Sequence, residues 1–256
     1  MRNYFDQQLA LLNEEMTQMG ALCEDAIALA VKALAEDSPT LAAKVPPIAA
    51  ALDQKERDVE GICLKLLLRQ QPVAGDLRQI SAALKMITDM ERIGDQAEDI
   101  AEIVGYLEGC GEAHCALLSA MARATISMVT DSVDAYVKQD VALAEAVIAH
   151  DDVVDDYFSQ VKNSLIQMIA QTPENGGFAL DLLMISKYFE RIGDHATNIA
   201  EWVIFSVTGV HKSEELKEEY APSEYRCKNP RSFEKRSGGK YVVGTYWIST
   251  SLPMTT

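Results

Sequence analysis

The chain of 256 residues carries 23 basic and 39 acidic side chains, a formal net charge of −16, with 48% hydrophobic and 24% charged residues. That length suits one large domain or two modest ones, and the composition excludes wholesale disorder. The acidic excess argues against nucleic acid or a bare anionic membrane as partner and favours cations or a basic protein surface.

Six segments carry apolar residues at helical spacing, over about 4–36, 47–71, 76–108, 114–138, 141–171 and 178–208. The opening stretch MRNYFDQQLALLNEEM places acids where a secretory leader needs an apolar core. Later apolar runs fall short of the roughly 20 residues that span a bilayer. Ser38-Pro39 ends the first segment, because the residue before proline is pushed out of the helical region. Pro47 is placed to open the second segment, Gln71-Pro72 closes it, and Asp76 is the expected cap of the third. Gly109 to Gly111 mark the next break, and the TPENGG loop at 172–177 separates the fifth and sixth segments. Five scattered cysteines point to a reducing, cytoplasmic compartment, with Cys23 and Cys63 expected as buried thiols. Cys110, His114 and Cys115 are zinc-ligand types, but no second ligand pair accompanies them. The stretch 214–256 differs in kind, with 7 basic and 6 acidic residues against 16 and 33 in 1–213. Its segment YVVGTYWIST has strand-forming composition.

An internal repeat organises the rest. ERIGDQAEDIAEIV at 91–104 and ERIGDHATNIAEWV at 190–203 match at ten of fourteen positions, offset by 99. Leu52-Asp53 resembles His150-Asp151, and Pro72 resembles Pro173. A unit of three helices therefore occurs twice. The expected fold is all-α, two tandem three-helix bundles over 1–110 and 111–213, with 214–256 as an appendage.

Helical positions four apart share a face, so Glu91, Asp95 and Asp99 form one acidic stripe, broadened by Glu98 and Glu102. Ile93, Ala97, Ile100 and Val104 face the other way and are expected to be buried. The second copy sets Glu190, Asp194, Asn198 and Glu201 against Ile192, Ala196, Ile199 and Val203. Like charges at this spacing cost a few tenths of a kcal/mol per pair. A mid-helix glycine such as Gly94 or Gly193 costs about 1 kcal/mol. Both unfavourable choices recur in both copies, which points to a shared requirement. A multivalent cation would relieve the repulsion, and glycine would admit a helix or ligand close to the backbone. Asp151, Asp152, Asp155 and Asp156 in the fifth segment, and Asp53, Glu56 and Glu60 in the second, extend the acidic surface. A solvated acidic face is the plainer alternative, with Arg92 and Arg191 pairing with the carboxylates.

Enzyme classes fail by absence. No Glu-x-x-His pair of the ferritin-like kind occurs, and there is no Walker loop, dinucleotide fingerprint or nucleophile elbow. His150 and His195 are the helical candidates for phosphotransfer and read better as surface or supporting histidines. No catalytic constellation is expected.

The order of RQQPVAGDLR (69–78), DMERIGDQAEDIAE (89–102), HDDVVDDYF (150–158) and YFERIGDHATNIAEW (188–202) resembles the PhoU family of phosphate-transport regulators. QMGALCEDAI at 19–28 agrees with it, and the resemblance covers about residues 4–212. It implies two side-by-side three-helix bundles, a homodimer, and surface metal clusters. The metal is expected to be iron, with magnesium, manganese or zinc as alternatives. Carried over by position, the ligands are Asp53, Glu91, Asp95 and Asp99 in the first half. In the second half they are Asp151, Asp155, Glu190, Asp194 and Asn198. Arg57 stands where the family often has Asn or Asp. The implied partners are the ATPase subunit of a phosphate importer and a sensor histidine kinase, with membrane association only through them. A carboxylate-cluster protein for iron storage or redox work is the alternative function.

Overall fold

The computed structural model describes residues 2–70, 72–107 and 112–211. Among them are seven α-helices: α1 (Arg2–Ala35), α2 (Pro39–Ala42), α3 (Pro46–Gln70), α4 (Ala74–Val104), α5 (Glu112–Lys138), α6 (Val141–Gln171) and α7 (Gly176–Thr208). A single 3-10 turn over Pro173–Asn175 precedes α7. The six long helices are those expected from periodicity. The short α2 was not, and it forms because the Ser38 hydroxyl accepts from the Leu41 amide with Pro39 in the first turn. Asp76 is not the cap of α4. That position belongs to Val73, which makes no side-chain capping bond, and Asp76 falls in the first turn beside the positive helix end. The expected break at 109–111, Cys110 of the possible zinc set, and the strand-like 241–250 lie outside the described residues.

The first helix of each half stops in the same way. Asp37 (φ 48°) and Gln139 (φ 53°) take the left-handed conformation. The following amides, of Ser38 and Asp140, then reach back to the carbonyls of Ala33 and Ala135, both at 2.9 Å. Asp140 goes on to cap α6 by accepting from the Leu143 amide at 3.1 Å.

Helices α1, α3 and α4 pack on one another, as do α5, α6 and α7, and the two bundles lie side by side. The seam between them is made by α1 against α5 and α4 against α7. Both pairings are antiparallel. Glu24 accepts from Thr130 while Leu34 meets Cys115, and Asp89 meets Asn198 while Arg78 reaches Ser206. Ile93, Ala97, Ile100 and Val104, with their counterparts Ile192, Ala196, Ile199 and Val203, are buried as their spacing predicts. One apolar core runs through both halves, with Tyr136 and Phe189 among its largest enclosed side chains. A fully buried Ile contributes about 1.5–3 kcal/mol, several times the cost of one like-charge pair on the opposite face. That margin lets α4 and α7 carry their acidic stripes.

Candidate functional site

In the first half, α3 and α4 bring Asp53, Glu91 and Asp95 together. One carboxylate oxygen from each lies within 4.8 Å of the others, and all three residues are half-buried. Glycine makes this approach possible: a Cβ on Gly94 would sit 2.6 Å from Leu52 Cδ1, one residue from Asp53. Burial raises the Glu91 carboxyl above the usual carboxylate range, helped by the negative charge of Asp95 and opposed by Arg92. Arg92 contacts both Glu91, at 3.5 Å, and Asp95, at 3.6 Å. Glu98 is also raised, by burial and then by Asp95 and Asp99. Arg57 is exposed and donates to Gln54 Oε1 at 3.3 Å.

In the second half the equivalent faces belong to α6 and α7. Gly193 makes room here for a carboxylate, since a Cβ would lie 3.1 Å from Asp151 Oδ1. Burial pushes the Asp151 carboxyl up to about 6, with Asp194, Asp155, Glu190 and Asp152 adding repulsion. Asp194 is raised by burial and Glu190, against the pull of Lys187. Lys187 is itself an ion-pair partner of Glu190, and its ammonium lies 5.7 Å from the centre of the Phe158 ring. Asp151, Asp155, Glu190 and Asp194 thus share one electrostatic neighbourhood without reaching the spacing of the first trio. Sequence reasoning missed Lys187, although its position three residues before Glu190 was visible.

The remaining two ligand candidates lie at the seam. Asn198 donates to Asp89 Oδ1 at 3.2 Å, and His195 Nδ1 lies 2.8 Å from the same oxygen. Asp99 is raised by burial and by Asp95 and Glu102, while Arg191 and a hydrogen bond from Tyr188 pull it back. Asp99 and Asn198 therefore engage the opposite bundle. Asp89 and Tyr188 were not singled out from sequence, yet they stand at the same offset of 99, just ahead of each repeated block. Gln96, the counterpart of His195, is buried and its Oε1 has no partner among the described residues. Of the possible zinc set, His114 Nε2 sits 3.2 Å from Ser164 Oγ, and Cys115 Sγ lies 4.0 Å from the Leu34 carbonyl.

The donors are all carboxylate oxygens partly withdrawn from water, and burial first, then neighbouring carboxylates, raises the proton affinity of Glu91, Asp151 and Asp194 among them. Such a set suits hard cations such as magnesium, manganese or oxidised iron and offers no soft ligand. Asp53, Glu91 and Asp95 fit one ion as they stand. A bound cation would add to the positive charge that Arg92 and Lys187 bring to these carboxylates.

A family model described as the PhoU domain matches twice, over residues 16–104 and 118–203. A PhoU homologue of the phosphate-specific transport system from Clostridium acetobutylicum is 33% identical, over 81% of this chain and 96% of its own. The homologue from a Synechocystis strain is 35% identical, over 81% of this chain and 93% of its own. The crystal structure of PhoU from Pseudomonas aeruginosa superposes with a TM-score of 0.76 at 33% identity, covering 80% of this chain and all of that one. Two domain matches falling on the two bundles, with relatives aligned nearly end to end, show that this chain belongs to the PhoU family.

Proposed function

We propose that this protein is a regulatory adaptor that represses phosphate uptake and phosphate-starvation signalling when phosphate is plentiful. It acts by binding, on the ATPase subunit of a phosphate importer and on a sensor histidine kinase, and catalyses no reaction. The observation that carries this reading is the near end-to-end match to relatives named as accessory proteins of phosphate-specific transport. Multivalent cations, iron foremost, are held by Asp53, Glu91 and Asp95 in the first bundle and by Asp151, Asp155, Glu190 and Asp194 in the second. The grouping of the first trio within 4.8 Å and the raised Asp151 support this assignment. The adaptor works in the cytoplasm as a homodimer and meets the membrane through its partners. No described helix is long and apolar enough to cross a membrane, in keeping with that role.

The test is complementation of a bacterium lacking its own regulator of this type, with alkaline phosphatase read in phosphate-rich medium. Restored repression is the expected result. Soluble protein that leaves phosphatase fully derepressed overturns the reading.

A further inference from the structure

Where α6 begins and α7 finishes, a groove of about 410 Å³ lies between Ile148, Ile204 and Val210, with Glu145 and Glu201 also in its lining. The chain itself leads there. Gly209 takes φ 81° and donates to the Phe205 carbonyl at 2.8 Å, which ends α7 and reverses the backbone. Val210 then forms part of the groove wall, and His211 turns back onto Trp202, with ring centres 4.4 Å apart. The polypeptide beyond residue 211 therefore begins at the groove.

Its chemistry complements the groove. Glu214, Glu215, Glu218, Glu219 and Glu224 come first, but over 226–240 Arg226, Lys228, Arg231, Lys235, Arg236 and Lys240 are set against one acid, Glu234, in a chain whose first 213 residues hold 16 basic and 33 acidic side chains. Directly after them comes the apolar and aromatic run Tyr241 to Ile248, which includes Trp247. About 30 residues separate this run from His211, a length whose end-to-end reach of roughly 30 Å is ample for a return. The bundles of a second copy are the weaker occupant, because no stretch of residues 1–213 is as basic as 226–240 and so matched to Glu145 and Glu201.

We propose that residues 240–248 bind back into the α6–α7 groove. Tyr241 to Ile248 cover Ile148, Ile204 and Val210, and the basic run 226–240 lies on Glu145 and Glu201. The second bundle thereby carries its own ligand, which any partner for this face must displace.

Hydrogen exchange on the full chain tests the proposal. Amides of 241–248 are expected to exchange at least about tenfold more slowly than in the free peptide of that sequence. Ile204→Asp should return them to the peptide rate. Tyr241→Ser combined with Trp247→Ser should do so too, and should also speed exchange at 208–211. The tail double variant decides the matter if Ile204→Asp disturbs the second bundle. Peptide-like exchange in the unmodified chain overturns the proposal. So does protection that survives the tail substitutions, or protection lost on roughly hundredfold dilution, which would assign the segment to another copy.

Discussion

Gly94 and Gly193 hold matching positions in the repeat but make room for different groups. At Gly94 the neighbour is Leu52, fully buried and unable to withdraw. Gly94→Ala should therefore lose stability: overpacking costs about 1–3 kcal/mol against a helix gain of about 1 kcal/mol. A lower urea midpoint with unchanged slope is the expected readout. At Gly193 the neighbour is the Asp151 carboxylate, the end of a partly exposed side chain that can swing aside. Gly193→Ala should therefore raise the urea midpoint, by up to about 1 kcal/mol of helix gain, and weaken cation binding about tenfold, as titration calorimetry with manganese would record. Asp151 also fixes a pH dependence. Its carboxyl is raised from the usual 3.8 to about 6, so the folded, metal-free protein holds the proton more tightly than the unfolded chain. Stability from this group is present at pH 4 and falls as pH rises towards 6, then levels off. In chelator at pH 7, Asp151→Asn should raise stability by on the order of 1 kcal/mol after solvent screening, and the gain should vanish near pH 4.

At the scale of elements, the ends of helices decide more than their middles. Gln139 sits exposed in a left-handed conformation that glycine adopts freely. Gln139→Gly is expected to stabilise the α5–α6 corner by about 0.5–1 kcal/mol, seen as a higher denaturation midpoint. At the seam, the Arg78 guanidinium donates to the carbonyls of Ser206 at 3.3 Å and Val207 at 3.5 Å, tying the start of α4 to the end of α7. Arg78→Ala should cost about 1–2 kcal/mol and loosen the last turn of α7 first, which amide exchange at 205–209 would report. The long helices and their buried faces were legible because apolar spacing is a local signal carried by many residues at once. Asp76 was misplaced as a cap because Val73 leads the helix without offering any polar side chain to reveal it. The role of Asp89 was hidden for a different reason. Its partners His195 and Asn198 lie more than 100 residues away, and no periodicity within one helix encodes them.

At the scale of the whole molecule, repetition in the sequence foretold two bundles and their acidic faces, but not how the bundles meet. The pairing follows from two contacts, Asp99 with Tyr188 and Asn198 with Asp89. Each becomes the other when the offset of 99 is applied to one residue and reversed for the other. That is the signature of an approximate two-fold axis, the arrangement two identical subunits adopt through a self-complementary patch. Duplication and fusion of an ancestral half-length chain account for it. Fusion brought a freedom that a pair of identical subunits lacks, because each contact could then mutate on one side alone. Asp99 is matched by Asn198, Tyr188 by Asp89, and Gln96 by His195. Descent from a symmetric ancestor has thus left one polypeptide with two unlike faces, able to be selected for separate tasks.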